Sequence, residues 1–133
     1  MTTMYYGQGY SGNASRRYAA VHAGSRIESA TPHELVKILF DELLLAIDAA
    51  VLAHAASDMA KFNEKHARAM SIIHALESSL DFELGGQVAV SLAQIYRESR
   101  RLLLLSAREK TIDDAIKARA ILTEIADAWA QIG

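Results

Sequence analysis

From residue 31 onward apolar residues recur three and four positions apart, the spacing of one face of an α-helix. No stretch shows the strict alternation that marks a half-buried strand. The first block opens at Thr31-Pro32-His33-Glu34. Thr31 suits the N-cap, Pro32 the first helical position, and Glu34 completes a capping box. A helix is predicted over residues 32–56, with Leu35, Leu39, Leu43, Ala46, Ile47, Ala50 and Val51 on one broad stripe. Phe40, Leu44 and Leu45 widen it, so burial on more than one side is expected.

Asp58 is a plausible cap for a second helix over residues 59–81, with Met59, Phe62, Ala69, Met70, Ile73, Leu76 and Leu80 on its stripe. Gly85-Gly86 punctuates the chain and reads as a turn. A third helix follows over residues 87–108, carrying Val88, Leu92, Ile95, Ser99, Leu102 and Leu103. Thr111 is read as the cap of a fourth over residues 112–132, with Asp113 and Asp114 where the helix dipole favours acids. Ile112, Ile116, Leu122, Ile125, Trp129 and Ile132 give its apolar side.

Helices of about 20–25 residues are about 30–37 Å long, and connections this short force antiparallel neighbours. The predicted fold is all-α: an antiparallel, up-and-down four-helix bundle. The first thirty residues differ in composition, holding Tyr5, Tyr6, Tyr10 and Tyr18 of the five tyrosines but few aliphatic residues. Residues 1–13 are expected to be a flexible tail, because such a segment buries too little to offset its ordering entropy. Residues 14–30 are expected as a short helix or extended strip on a single bundle domain that spans 14–133.

Length and composition agree with this picture. A chain of 133 residues buries roughly two-thirds of its unfolded surface, enough for one core. With no cysteine it has neither disulfides nor thiolate metal ligands. The net charge of −2 argues against a dedicated nucleic-acid binder. The most apolar run, residues 43–56, contains Asp48 and His54 and is shorter than the roughly 18 residues of a membrane span. The start of the chain lacks the basic-then-apolar pattern of a secretory signal. A soluble cytoplasmic domain without membrane insertion is the expectation.

Candidate chemistry is sparse. A carboxylate-bridged di-iron bundle needs Glu-x-x-His on two helices, and no glutamate here has a histidine three residues later. The histidines (His22, His33, His54, His66, His74) read as surface or boundary residues; His66 and His74 lie about 12 Å apart along a helix, too far to share a metal ion. Asp41 and Glu42 diverge by about 100°. Asp48 and Asp127 read as members of a solvated face or as cap partners. No phosphate loop, nucleophile elbow or dinucleotide fingerprint occurs. No catalytic residue, cofactor or metal is implied.

Arg97, Arg100, Arg101 and Arg108 mark one side of the third helix, diluted by Glu98 and Glu109; this reads as a solvated face able to meet an acidic partner. The runs Leu43-Leu44-Leu45 and Leu102-Leu103-Leu104-Leu105 fan round their helices by about 100° per residue, so they cannot all face one core. The surplus leucines are either covered by the N-terminal strip, as by a fifth packing element, or part of a binding groove under a mobile cover.

Four stretches together resemble one family. Ser29-Ala30-Thr31-Pro32-His33-Glu34-Leu35-Val36-Lys37-Ile38-Leu39-Phe40-Asp41 resembles the opening signature of the flagellar export chaperone family FliS. Asp81-Phe82-Glu83-Leu84-Gly85-Gly86-Gln87-Val88-Ala89 is similar to its Leu-Asp to Gly-Gly-Glu-Ile-Ala turn. Ile125-Ala126-Asp127-Ala128-Trp129 resembles its C-terminal ending, and Tyr18 stands fourteen residues before Pro32, as a family tyrosine commonly does. The resemblance spans about residues 16–132. Two departures stand out: Glu42 where the family often has glycine, and Ile95-Tyr96-Arg97-Glu98 where it often shows Leu-Tyr-Asp-Tyr.

The resemblance implies a chaperone that binds the disordered C-terminal segment of flagellin, prevents premature polymerisation and delivers the client to the type III export gate. It implies no catalysis. On the residues, Tyr18, Ile73, Leu76, Tyr96, Leu103 and Ile125 are the candidate client anchors, with Tyr18 and Val21 covering part of the groove in the free state. Burial between helices is the competing reading for most of these. An exposed groove is also compatible with a homodimer. Two alternatives stay open: a helical-bundle adaptor for a non-flagellin client, and a weak nucleic-acid binder using the arginines of the third helix.

Overall fold

The computed structural model describes residues 30–132. Four helices follow one another: α1 (Pro32–Ala55), α2 (Met59–Ser78), α3 (Phe82–Glu109) and α4 (Asp113–Gln131). The connections are residues 56–58, 79–81 and 110–112. Links this short reverse the chain at each step. Contacts join α1 to α2, α2 to α3, α3 to α4 and α4 back to α1, which closes a four-helix bundle. The all-α bundle expected from the pattern is the observed fold. The expected tail 1–13 and strip residues 14–29 lie outside the described residues.

Local chemistry sets the helix starts. At α1 the Glu34 N–H donates to Thr31 Oγ1 (3.1 Å) and the Thr31 N–H donates to Glu34 Oε1 (3.3 Å), the full capping box. Asp58 Oδ1 accepts from the Lys61 N–H (3.1 Å) to start α2. Asp81 Oδ1 accepts from the Leu84 N–H (3.0 Å) to start α3. Each such cap stabilises its helix by about 1 kcal/mol.

Asp81 explains the main boundary correction. α2 ends at Ser78 rather than 81, and α3 begins at Phe82 rather than 87. The hydroxyls of Ser78 and Ser79 turn back to carbonyls of α2, Ser78 to His74 (2.8 Å) and Ser79 to Ala75 (2.7 Å), and so favour its termination. Gly85 lies inside the first turn of α3, where its N–H bonds the Asp81 carbonyl (2.8 Å). Gly86 then kinks the helix with φ 53° and ψ −130°, a conformation essentially reserved for glycine. Gly86 is therefore a sharp break, as the glycine pair suggested, but one that sets a short helical turn begun at Phe82 directly against the long run of α3. At the fourth helix the cap position falls on Ile112, although Thr111 Oγ1 still accepts from the Asp113 N–H (3.3 Å).

Chain reversal after α1 and α3 uses left-handed residues. Ser57 (φ 58°) lets its own N–H reach the His54 carbonyl (3.0 Å) and the Asp58 N–H reach the Ala53 carbonyl (2.8 Å), the two bonds of a Schellman motif. Lys110 (φ 56°) does the same work after α3, with the Thr111 N–H on the Ser106 carbonyl (3.2 Å).

The core seam repeats at three and four residues on every helix, as in coiled-coil-like bundles. On α1 it runs through Val36, Leu39, Leu43, Ala46, Ala50 and Ala53. On α3 it runs through Gly85, Ala89, Leu92, Tyr96, Ser99, Leu103 and Ser106, all buried. Small residues occupy four of these seven α3 positions and let neighbouring helices approach. α4 is similar, with Ala115, Ala118, Leu122 and Trp129 inward. The expected stripes hold at Leu92, Ser99, Leu102 and Leu103 on α3 and at Leu122 and Trp129 on α4, whereas Val88, Ile116 and Ile132 are exposed. The large aliphatics at those positions drew the stripe aside because the seam near the starts of α3 and α4 is written in glycine and alanine (Gly85, Ala89, Ala115 and Ala118). Tyr96 and Phe40 meet at the centre, ring centroids 6.3 Å apart.

Candidate functional site

The candidate anchors converge, but inside the bundle. Ile73 and Leu76 on α2 and Tyr96 and Leu103 on α3 are all fully buried members of one core cluster. Ile125 on α4 is half-buried against the same cluster. Tyr18 and Val21 lie outside the described residues.

Exposed apolar side chains occur elsewhere. The leucine runs split as their fan geometry requires. Leu43 is buried, Leu44 half-buried and Leu45 exposed; Leu102 and Leu103 are buried, Leu105 half-buried and Leu104 exposed. Leu45 and Leu52 stand two turns apart on α1. Phe82, Leu84 and Val88 are exposed around the kink at the start of α3. The periodicity could not single these out, because it shows that a face is apolar and not whether another helix covers it.

Ion pairs tie the helices together and decide what remains free on the surface. Arg68 on α2 binds Glu42 on α1 at 2.8 Å, with both side chains largely shielded. Arg100 on α3 binds Glu77 on α2. Arg119 on α4 grips both carboxylate oxygens of Asp48 on α1. The Asp48 carboxylate holds the Arg119 guanidinium charged above its ordinary range, chiefly through that hydrogen bond. Asp48 is thus an interhelical partner rather than only part of a solvated face. Within α3, Arg101 binds Glu98 through two nitrogens (2.8 and 2.7 Å), which lowers the Glu98 pKa and raises that of Arg101.

Three of the four described histidines, His33, His54 and His66, hold structural contacts. His66 Nε2 donates to the Leu103 carbonyl (2.8 Å) and His54 Nε2 to the Lys110 carbonyl (3.1 Å), the proton assigned from the acceptor at each site. Phe62 packs against both rings, with centroids 5.7 Å from His54 and 5.6 Å from His66. At the other end His33 stacks on Trp129 (4.8 Å), whose Nε1–H donates to the His33 carbonyl (3.1 Å). His74 is exposed, and His22 lies outside the described residues. Among the described residues no three His, Asp or Glu side chains gather as for a metal ion. Nor, among them, is any helix long and apolar enough to cross a membrane.

A rigid bundle, its seams closed by ion pairs and its outer faces carrying isolated leucines and arginines, defines a scaffold that presents helix faces. Comparison with known proteins supplies the particular class. The family profile described as "Flagellar protein FliS" matches residues 14–133. The chain is 32% identical over 124 residues to the flagellar secretion chaperone FliS of Salmonella typhimurium, covering 92% of each chain. It is 31% identical over 122 residues to that of Vibrio cholerae, covering 86% of this chain and 85% of the relative. The Escherichia coli chaperone of the same name is 28% identical over 121 residues, with 90% and 89% covered. The chain belongs to the FliS family of flagellar secretion chaperones, a family of chaperones rather than enzymes.

Proposed function

We propose that the chain acts in the cytoplasm as an export chaperone for flagellin. It binds the disordered C-terminal segment of the client, hides the apolar residues that drive polymerisation, and presents the complex to the type III export gate. The observation that carries this reading is the family match across residues 14–133, supported by relatives named flagellar secretion chaperones. The physics is coupled folding and binding, in which a large interface offsets the ordering of the client. No catalytic step or cofactor takes part.

In this proposal Tyr18 and Val21 cover a groove whose wall includes Ile125. The half-buried Ile125 offers a contact without rearrangement. Ile73, Leu76, Tyr96 and Leu103, buried beneath, set the spacing of the helices that form the wall. The departure Ile95-Tyr96-Arg97-Glu98 in α3 favours a second reading, a bundle adaptor for another client.

Titration calorimetry separates the two. The purified protein is titrated with the C-terminal 40–50 or so residues of its own organism's flagellin, long enough to bury the roughly 1,000–3,000 Å² typical of coupled folding. Tight binding with a large negative heat-capacity change is expected. Absence of binding by a folded protein overturns the flagellin assignment and favours the adaptor. Deleting residues 1–18 is expected to change the affinity, and an unchanged Kd removes the cover. Sedimentation of the free protein tests the homodimer.

A further inference from the structure

The outer face of α3 carries a stripe of exposed side chains in helical register: Val90, Gln94, Arg97, Arg101, Leu104 and Arg108. Successive spacings are four, three, four, three and four residues, so these positions line up along the axis. At about 100° per residue the stripe lies on the far side of α3 from the seam through Leu92, Tyr96, Ser99 and Leu103. No packing demand within the bundle explains it.

Two features give the stripe a chemical character. Leu104, 52% exposed, sits at the junction of two shallow hollows of ≈ 350 and ≈ 440 Å³ that share Arg101 and Leu104. Arg97 lines one hollow and Arg108 the other. Arg100 is held by Glu77 and Arg101 by Glu98, with the Asp114 charge also reaching Arg101. Arg97 and Arg108 have no acidic partner among the described residues. Two open guanidiniums, about 16 Å apart along the axis, therefore flank an exposed leucine on a chain of net charge −2.

We propose that this stripe is a second docking surface, distinct from the client groove, and that its occupant is an acidic amphipathic α-helix of a partner protein. A helix fits because knobs at three- and four-residue spacing pack against the matching spacing of another helix. An apolar residue of the partner seats on Leu104 between the hollows, and carboxylates on either side meet Arg97 and Arg108. Arginine is well suited to this, since its planar fork takes a carboxylate through two hydrogen bonds. Nucleic acid is disfavoured because only two guanidiniums of the stripe are unpaired and an exposed leucine stands between them, which neutralises few phosphates and leaves the apolar knob unmatched.

The test uses the full chain and designed peptides of about 20 residues, long enough to be helical in part. One peptide carries leucines on a helical seam flanked by glutamates. A second replaces each glutamate with lysine. Fluorescence anisotropy at low salt is expected to show binding of the acidic peptide alone, weakening as salt is added. The double variant Arg97→Glu/Arg108→Glu is expected to lose about tenfold or more in affinity and to bind the lysine peptide instead. Both sites are exposed, so circular dichroism should show an unchanged fold, and flagellin-peptide binding should persist. Failure of the folded wild-type protein to bind the acidic peptide overturns the proposal. So does equal binding of both peptides, or displacement of the acidic peptide by a short DNA duplex. Concurrent loss of flagellin-peptide binding in the double variant overturns the stripe as a separate surface and assigns it to the client.

Discussion

Asp48 on α1 and Arg119 on α4 are 71 positions apart in the sequence, yet their carboxylate and guanidinium meet through both oxygens. The pair fixes the seam where the first and last helices close the bundle. Arg119 is 40% exposed and Asp48 44%, so solvent screens the attraction. Asp48→Asn or Arg119→Met is expected to lower stability by less than about 1 kcal/mol. A double-mutant cycle by urea denaturation should return a favourable coupling of about 0.5 kcal/mol that shrinks in 1 M salt, where screening acts over about 3 Å. A coupling of zero would show that the pair is formed only on average.

Two backbone positions predict changes of opposite sign. Gly86 adopts φ 53° and ψ −130°, and a Cβ there would meet nothing within 4 Å. Strain rather than space is the objection to a side chain. Gly86→Ala is expected to destabilise by about 1–3 kcal/mol or to straighten the start of α3. Ser57 is also left-handed, at the end of α1, where glycine is the better residue. Ser57→Gly is expected to stabilise by up to about 1 kcal/mol, the relief of left-handed strain being partly offset by glycine's greater unfolded-state entropy. Paired thermal melts of the two variants check both signs.

Ser99 faces the core from α3, is fully buried, and its hydroxyl has no hydrogen-bond partner. A buried unpaired hydroxyl costs about 1–3 kcal/mol relative to its hydration. Ser99→Ala removes it with almost no change of volume. The variant should be at least as stable as the parent, by up to about 1 kcal/mol. A midpoint in urea that falls would show the hydroxyl to be paired in solution.

Glu98 gives the clearest pH signature. Its hydrogen bonds from Arg101 hold its pKa below the ordinary 4.5. A lowered acid pKa means that the folded state favours the carboxylate. The contribution is therefore fully present above about pH 4.5 and is lost as pH falls through the folded value. Carboxyl-detected NMR titration should place the Glu98 midpoint below 4.5 and return it towards that value in Arg101→Met.

How much of this was legible in the chain depends on how local the cause is. The start of α1 was legible because Thr31, Pro32 and Glu34 act within four residues of one another. The start of α3 was legible only in part: Gly86 does break the helix, but the turn that precedes it, capped by Asp81, was missed. On α4 the stripe was legible at Leu122 and Trp129 but not at its start, where Ala115 and Ala118 rather than Ile116 face the core. The pairs Glu42–Arg68, Glu77–Arg100 and Asp48–Arg119 depend on which helices become neighbours, which periodicity along one helix does not contain. For the candidate anchors the spacing located apolar residues correctly, but burial is set by the helix opposite. Ile73, Leu76, Tyr96 and Leu103 were thus indistinguishable in sequence from residues at a surface.

That ambiguity makes Leu76 and Ile125 a decisive comparison. Leu76 is 1% exposed and packed on all sides by the core, so Leu76→Ala leaves a cavity and should cost about 2–5 kcal/mol of stability. Ile125 is half-buried, so Ile125→Ala should cost less, about 1–2 kcal/mol, because less surface returns to water. Affinity should rank the other way when both variants are measured well below their melting temperatures. Ile125→Ala removes a side chain that a client can touch and should weaken flagellin-peptide binding several-fold. Leu76→Ala, acting only through the position of α2, should leave the affinity near that of the parent while the protein stays folded. Urea denaturation followed by circular dichroism gives the first ranking and calorimetry the second. If the two rankings coincide, binding follows the integrity of the bundle rather than contact with Ile125, and the groove must lie on another face.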